Sequence, residues 1–285
     1  MRVTRSATNL AAAARLPEGL DRMRILVTRP AAQATSWVKS LEQHGLRALA
    51  LPLMEIAPAP DTAAVTHAWH HLAEARLVMF VSANAVEHFF ALRPPQAAWA
   101  MGSHAGWPQG TQAASPGPGT TRALREAGVP LSQIVEPSPD SPQFDSEALW
   151  QRLREQDWQD AVVHVVRGDG GRDWLADTLR EHGARVGCVS AYRRIAPRWD
   201  ASSQALLAAA LSRPADHLWF FSSSEAIDHL LSHLGRSAAA LPGGARALTT
   251  HPRIAQRAQA AGFAPVWQSL PTLASVVACI QSIAP

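Results

Sequence analysis

The sequence predicts an α/β protein built from two parallel-sheet domains, and three observations lead to this prediction. Short apolar strands alternate with amphipathic helices along the chain, as they do in parallel βαβ units. Similar segments of strand, arginine, helix, glycine and strand occur twice, about 140 residues apart, which indicates an internal duplication. The length of 285 residues exceeds one typical domain and fits two.

The composition is that of a globular protein, with 47% hydrophobic and 17% charged residues. The net charge is +3, and arginine supplies nearly all of the positive charge because Lys39 is the only lysine. Guanidinium groups suit carboxylates and phosphates, which favours a polyanionic partner, whereas a bias in genomic base composition would give the same arginine usage. No basic stripe interleaved with aromatic residues occurs, so we expect no nucleic-acid partner.

The cysteines and the amino-terminal segment predict a cytoplasmic protein. Cys188 and Cys279 form neither a disulfide framework nor a CxxC metal motif. Residues 1–22 contain arginines and an alanine run that is too short for a secretory signal, and we expect them to be a disordered or non-native tail. No segment reaches the roughly 18 apolar residues that span a bilayer, so no membrane partner is expected.

The first predicted unit consists of a strand, a helix and a second strand, at residues 24–28, 31–44 and 46–53. Arg29 follows the first strand directly. Three prolines then interrupt the pattern, so residues 54–61 are predicted to be an extended linker.

The next unit places a hydroxyl group at a strand end. A helix is predicted at residues 63–74 and a strand at residues 77–81, after which Ser82 begins another helix. Ser82 is a good N-cap, and the small residues after it would let an anion approach the helix N-terminus. A plain helix cap is the alternative for this serine.

Residues 93–119 are rich in proline and glycine and predict a loop, either a mobile insertion or a lid. The loop closes in a glycine turn at Gly117, and a helix that contains Thr120 and Thr121 follows. Such a turn exposes backbone N–H groups to an anion. Ser146 is predicted to precede the helix that comes next.

The stretch from residue 161 to residue 194 is the most informative part of the chain. It reads as a buried strand, a glycine-rich turn that begins at Arg167, a helix, and a second strand that delivers Tyr192. This is a parallel βαβ unit, and the turn side of such units is where open α/β sheets bind ligands.

The carboxyl-terminal part repeats these features after a second proline-broken linker at residues 197–200. A strand that ends at Phe221 is followed by Ser222 and Ser223, which match the Ser82 position in the first half. Further on, Thr249 and Thr250 are predicted to be the counterparts of Thr120 and Thr121. Each half of the chain is therefore predicted to contain the same three units.

The chain carries no GxSxG, HExxH, paired CxxC or Walker A motif. His67, His70 and His71 share a helix face, but no carboxylate or cysteine partner accompanies them, so we predict no metal site. His164 is predicted to be a core histidine with its hydrogen bonds satisfied. What remains is a cleft for a large anion in which positioning and electrostatics carry most of the rate, with Tyr192, the only tyrosine, as the best proton donor.

The string from residue 166 to residue 194, VRGDGGRDWLADTLREHGARVGCVSAYRR, resembles the middle of uroporphyrinogen-III synthase. Four further motifs match this family: VTRP at residues 27–30, and the segments at residues 80–86, 117–124 and 221–226. The resemblance implies a cofactor-free enzyme of tetrapyrrole biosynthesis that cyclises hydroxymethylbilane, which has eight carboxylates, and inverts ring D. The route passes through an azafulvene and a spiro-pyrrolenine.

The resemblance also assigns roles to residues. Tyr192 falls on the tyrosine that assists departure of the hydroxide. The substrate-binding residues that it implies are Ser82, Asn84, Thr120, Thr121, Ser222 and Ser223, together with Arg29 and Arg167. Either arginine has an alternative role, in which it fixes its own turn by bonding to backbone carbonyl groups.

The fold implied by the resemblance is a pair of Rossmann-like or flavodoxin-like domains joined by a two-strand hinge. One domain is discontinuous, at residues 24–54 plus 197–285, and the other spans residues 58–190, with linkers at 54–58 and 190–197. A monomer is expected, with a transient contact to hydroxymethylbilane synthase as a further expectation. Pro116 departs from the family pattern and predicts a short strand before Gly117, and the loop at residues 99–110 is longer than usual.

A non-catalytic alternative is a two-lobed cytoplasmic protein that binds a polycarboxylate. Tyr192 separates the two hypotheses, because a binding module would tolerate its replacement by phenylalanine and an enzyme would lose turnover.

Overall fold

The computed structural model describes residues 23–94, 107–170, 172–235, 241 and 243–283. The tail at 1–22, Gly171 and residues 95–106 of the predicted loop lie outside these residues. The predicted α/β class is confirmed, because the strands form two sheets with helices packed against both faces of each. None of the described helices combines the length and hydropathy needed to cross a bilayer.

The first sheet is parallel and has the strand order β11-β10-β9-β1-β2. Numbered in chain order, its strands are β1 (Arg24–Val27), β2 (Ala48–Ala50), β9 (His217–Phe221), β10 (Arg246–Thr249) and β11 (Val266–Gln268). The helices of this part are α1 (Ala31–Gln43), α7 (Ala201–Ser212), α8 (Ser224–His233), α9 (Pro252–Ala260) and α10 (Leu273–Ile283).

The second sheet is mixed and has the order β3-β8-β7-β4-β5-β6. Its strands are β3 (Glu55–Pro58), β4 (Leu77–Phe80), β5 (Gln112–Ala114), β6 (Ile134–Val135), β7 (Val162–Gly168) and β8 (Arg185–Ile195). The accompanying helices are α2 (Ala63–His70), α3 (Ala83–Ala91), α4 (Pro118–Glu126), α5 (Ser146–Leu153) and α6 (Trp174–Glu181). Only β3 runs antiparallel to its neighbour in this sheet.

Each sheet is covered on both faces, which explains why most positions of its central strands are apolar. In β1, Leu26 packs into one core, and Ile25 and Val27 pack into the core on the opposite face. In β4, Phe80 and Met79 divide between two cores in the same way. The short buried strands are therefore dictated by a doubly wound architecture.

Two parts of the predicted layout need correction. The segment at residues 54–61 was predicted to be a linker, but it contains β3, which pairs with the end of β8 from Glu55 opposite Ile195 to Pro58 opposite Tyr192. Proline is tolerated there because β3 lies at a sheet edge. The predicted loop at residues 93–119 contains β5, a three-residue strand that agrees with the short strand expected before Gly117.

The proposed equivalence of the two threonine pairs is wrong. Thr249 ends β10 and Thr250 follows it, whereas Thr120 and Thr121 lie inside the first turns of α4. The helices α4 and α9 both carry proline at the first helical position, so Ser115 is the residue that matches Thr249 by position.

Candidate active site

Tyr192 lies near the end of β8, and its side chain is buried, with 1% of the residue exposed. Its hydroxyl oxygen is 3.0 Å from Ser82 Oγ and 3.1 Å from Arg194 Nη2. Ser82 is the N-cap of α3, as predicted, and its Oγ accepts the Ala85 N–H at 3.2 Å. The structure thus brings together two of the side chains chosen from the sequence, because β4 and β8 end at the same edge of the second sheet.

A close backbone approach fixes the ring of Tyr192. The ladder between β7 and β8 shifts register at Arg167 and Gly168, which sets Gly168 opposite Tyr192. A Cβ atom at Gly168 would lie 2.8 Å from Cε2 and 2.9 Å from Cζ of the tyrosine. The ring of His88 stacks near the phenol, with 5.7 Å between ring centroids. Glycine at position 168 therefore provides the space that the phenol occupies.

Arg194 connects the tyrosine to the other sheet. Its Nη1 lies 3.2 Å from Oε2 of Glu225, which is in the first turn of α8, directly after β9 of the first sheet. The backbone N–H of Arg194 donates to Oδ1 of Asp169 at 2.9 Å. The arginine is thus anchored by its own sheet through the backbone and reaches the other sheet through its side chain.

Arg29 presents a cation without an acidic partner in the described residues. Its guanidinium carbon lies 4.9 Å from the ring centroid of Trp37 and 5.8 Å from that of Phe220. Nη1 donates to Gln33 Oε1 at 3.4 Å, whereas Nε is buried without a hydrogen-bond partner. Burial, followed by the charge of Arg122, lowers the pKa of Arg29 to about 10, so the side chain stays cationic at neutral pH. A half-buried cation whose Nε lacks a hydrogen-bond partner favours an anionic ligand.

A second link between the sheets lies beside Arg29. Gln33 Nε2 donates to Oδ1 of Asn84 at 2.8 Å, which joins α1 to the first turn of α3. Arg29, Gln33 and Asn84 therefore form one hydrogen-bonded row that crosses from the first sheet to the second.

The remaining predicted binding residues have different surroundings. Ser223 is the N-cap of α8, but its side chain makes no capping hydrogen bond, and Ser222 beside it is half-buried. Thr120 and Thr121 are buried, and Thr121 Oγ1 lies 2.5 Å from Oε2 of Glu136 and 3.0 Å from Ser115 Oγ. Ser223 thus keeps its hydroxyl out of capping, whereas the Thr121 hydroxyl is hydrogen-bonded within its own domain.

Arg167 forms an ion pair with Asp173 at the start of α6, and its side chain is only 11% exposed. In the same turn, the N–H of Asp169 donates to the carbonyl oxygen of Tyr192 at 3.0 Å. Arg167 therefore pairs with a side-chain carboxylate in its turn, and not with the backbone carbonyl groups of the alternative role.

Acidic and basic side chains that sequence reasoning missed meet where α5 and α9 begin. His251 Nε2 is 3.1 Å from Oδ2 of Asp145, which caps α5 in place of the predicted Ser146. The carboxylate of Glu147 accepts two hydrogen bonds from Arg172, from Nη1 at 2.7 Å and from Nη2 at 2.9 Å. It accepts a third from Nη1 of Arg253 at 3.2 Å. The hydrogen bond from Arg172 is the main cause that lowers the pKa of Glu147 to about 2.

A family model described as uroporphyrinogen-III synthase HemD matches residues 35–278. The chain belongs to the uroporphyrinogen-III synthase family.

Curated relatives and solved structures agree with this membership. Uroporphyrinogen-III synthase of Salmonella typhimurium is 28% identical over 189 residues, which are 65% of this chain and 70% of the relative. That of Proteus mirabilis is 28% identical over 61% of this chain and 81% of the relative. A mutant uroporphyrinogen III synthase from Thermus thermophilus has a TM-score of 0.55 at 18% identity, covering 91% of this chain and 98% of that one. The enzyme from Helicobacter pylori has a TM-score of 0.54 at 16% identity, covering 92% and 99%. The two structures support the fold.

The described histidines were considered as metal ligands in the sequence and are arranged as follows in the structure. Within the described residues, no group of three or more His, Cys, Asp or Glu side chains could hold an ion. The prediction that His164 is satisfied is wrong, because its buried Nε2 has no hydrogen-bond partner among the described residues. Burial is the main cause that lowers the pKa of His164, so the ring favours its neutral form.

Proposed function

We propose that this chain is a uroporphyrinogen-III synthase, which cyclises hydroxymethylbilane to uroporphyrinogen III with inversion of ring D. The observation that carries the proposal is the hydroxyl of Tyr192, buried beside Ser82 and Arg194 where the two sheets face each other. Family membership supplies the reaction, and this hydroxyl is the group that fits its proton-transfer step.

The first chemical step needs a proton on the departing hydroxyl group of the substrate. Tyr192 donates its phenolic proton to that oxygen, and the C–O electron pair leaves with the oxygen as water. The methylene carbon is left electron-poor, and loss of the proton from its pyrrole nitrogen gives the neutral azafulvene. Attack on this carbon by ring D at its substituted α-carbon gives the spiro-pyrrolenine. The bond from that α-carbon to the methylene that joins rings C and D then breaks, which leaves this methylene as a second azafulvene. The free α-carbon of ring D attacks it and loses its proton, which closes the macrocycle with ring D inverted. The sequence of steps is redox-neutral, so the proposal includes no cofactor.

The carboxylates of the substrate need complementary charge and hydrogen-bond donors. Arg29 offers a half-buried cation with no acidic partner among the described residues. Asn84 is joined to Arg29 through Gln33. Ser222 and Ser223 offer hydroxyl groups at the end of β9. We assign Ser82, Thr120, Thr121 and Arg167 to the rim of the same site, where Thr121 and Arg167 act by shaping their turns.

The proposed domains correspond to the two sheets, except that β3 and the end of β8 belong to the second sheet but lie in the linkers. Residues 24–54 plus 197–285 form one domain and residues 58–190 the other, with the linkers at 54–58 and 190–197 as the hinge. The observation that supports this division is the strand order, since the chain passes between the sheets only twice in the described residues. The proposed enzyme acts as a cytoplasmic monomer that receives hydroxymethylbilane in a transient contact with hydroxymethylbilane synthase.

A coupled assay tests the function. Hydroxymethylbilane is generated in situ, the purified chain is added, and the products are oxidised and separated into porphyrin isomers I and III. Spontaneous closure gives isomer I, so protein-dependent isomer III is the expected result. Isomer I alone, from a chain shown by circular dichroism to be folded, would leave the polycarboxylate-binding alternative.

Replacement of the tyrosine then separates catalysis from binding. Tyr192→Phe should lower turnover by about 10²-fold or less with the fold retained, because one proton donor contributes on that order and positioning is unaffected. Thr35→Ala, which removes an exposed hydroxyl on α1, serves as the control and should retain full turnover. Unchanged turnover in Tyr192→Phe would show that this hydroxyl is not the proton donor.

A further inference from the structure

We infer that Arg194 is a positioning residue for the proton of Tyr192, and that Glu225 holds Arg194 in this role only when the two sheets are closed on each other. The inference deepens the proposed function and rests on it for the identity of the reaction. It assigns Arg194, from the second sheet, and Glu225, from the helix that follows β9 of the first sheet, a role in orienting the hydroxyl of Tyr192.

The direction of the tyrosine proton follows from hydrogen-bond chemistry. A guanidinium group has only donors, so at 3.1 Å the Nη2 of Arg194 donates to the phenol oxygen, which accepts. The phenolic proton must then point away from Arg194, towards Ser82 Oγ or towards a bound substrate. Ser82 Oγ already accepts the Ala85 N–H, which leaves it one lone pair for the phenol when the site is empty. Arg194 thus aims the proton into the cleft.

Charge adds a second effect. As the phenol gives up its proton, negative charge develops on an oxygen that already faces the guanidinium, which stabilises that charge without reorganisation. The side chain of Arg194 is 21% exposed, so water only partly screens this interaction. The same cation lies 5.5 Å from the centroid of the phenol ring.

Glu225 supplies the link to closure. Asp169 fixes the backbone of Arg194 within the second sheet, so separation of the sheets would leave β8 in place. Among the contacts of Arg194, the ion pair from its Nη1 to Glu225 is the one that such a separation would break. The guanidinium would then lose the carboxylate that binds its Nη1, and the orientation of its Nη2 towards the phenol would become less defined.

Arg193 provides a matched control. It is the preceding residue on β8, carries the same charge, and is exposed. A general effect of removing a positive charge from this strand should therefore appear in Arg193→Gln as well. An effect that depends on the contact with the phenol should be absent in Arg193→Gln.

The kinetic test uses the full-length chain and hydroxymethylbilane generated in situ. Arg194→Gln should lower kcat by about tenfold to a hundredfold with little change in KM, because the contact acts on the transition state. Arg194→Lys should recover part of this loss, and Glu225→Gln should lower kcat by a smaller factor. The double variant should be no slower than Arg194→Gln, because Glu225 acts through the arginine. If Arg194→Gln raises KM and leaves kcat unchanged, Arg194 binds a substrate carboxylate and the inference is overturned.

An NMR measurement tests the contact independently of activity. The chain has one tyrosine, so tyrosine labelled with ¹³C at Cζ gives a single signal from Tyr192. This signal should shift in Arg194→Gln and in Glu225→Gln and stay in place in Arg193→Gln. An unchanged signal in Arg194→Gln would overturn the inference. Isomer I alone from the wild-type chain would overturn the proposed function, and the NMR result would still decide whether Arg194 orients the phenol.

Discussion

Gly168→Ala is the substitution that tests most directly how the site holds its tyrosine. The new Cβ would lie 2.8 Å from Cε2 and 2.9 Å from Cζ of Tyr192, closer than real Cβ atoms approach their neighbours. Gly168 is not among the described glycines with positive φ, so alanine introduces no backbone strain at this position. The clash with the phenol ring is therefore the main effect of the substitution.

The size of the effect follows from these distances. To reach ordinary contact the nearest separation must grow from 2.8 Å to about 3.4 Å, so ring and backbone must part by at least about 0.6 Å. Tyr192 is almost fully buried and cannot absorb this movement by swinging into solvent. Misplacement of a reacting group by about 1 Å costs up to about 10²-fold in rate, so we expect a loss of about 10- to 100-fold in kcat. Overpacking should lower the free energy of unfolding by about 1–3 kcal/mol.

The assay compares isomer III formation and urea unfolding of Gly168→Ala with those of Gly187→Ala. Gly187 is an exposed position on the same strand as the tyrosine, and its new Cβ would meet only His164 Nδ1, at 3.6 Å, an ordinary contact. The control should retain both activity and stability. If Gly168→Ala keeps full kcat while its tyrosine NMR signal moves, the rate does not depend on the placement of the phenol, and the reasoning above fails.

Three further predictions concern stability. Glu147 has a pKa lowered to about 2, so its contribution is present above the ordinary value of 4.5 and is lost as the pH falls towards 2. Glu147→Gln should therefore show a flatter stability curve than wild type between these pH values in urea unfolding, and an equal slope would contradict the ion-pair reading. The pKa of His164 is lowered from 6.5, mainly by burial, so stability should fall as the pH drops below 6.5, and His164→Asn should lessen that fall in the same measurement. Phe220→Ala removes a fully buried ring beside Arg29 and should cost about 3–5 kcal/mol in calorimetric unfolding; a cost below about 1 kcal/mol would show that the first-sheet core does not depend on this ring.

The convergence of Tyr192 and Ser82 could be predicted from the sequence. Both residues follow or end apolar strands, and the carboxyl ends of parallel strands meet at one edge. The N-cap role of Ser82 could be predicted from its immediate neighbours, because small polar residues before a helix satisfy the first N–H groups of that helix. Local chemistry and strand direction were sufficient for this part of the site.

The contacts between the two sheets could not be predicted in this way. The pairs from Arg194 to Glu225 and from His251 to Asp145 join residues whose proximity depends on how the sheets pack, which no local pattern specifies. The lack of an acidic partner for Arg29 is also not predictable from the sequence. A sequence shows an arginine after a strand, but only the structure shows that no described acid neutralises it.

The pairing of β3 with the end of β8 restricts how the two sheets can close. Both passages of the chain between the sheets are paired with each other as β3 and the end of β8, and this ladder sets Pro58 opposite Tyr192. A hinge built on two paired strands restricts the proposed domain motion more than two separate extended linkers would, and it places Tyr192 beside the axis of that motion. Gly168 then keeps the ring of Tyr192 within the second sheet, whereas the partner of Arg194 moves with the first. Closure would therefore change the charge and orientation around the phenol without moving the phenol itself.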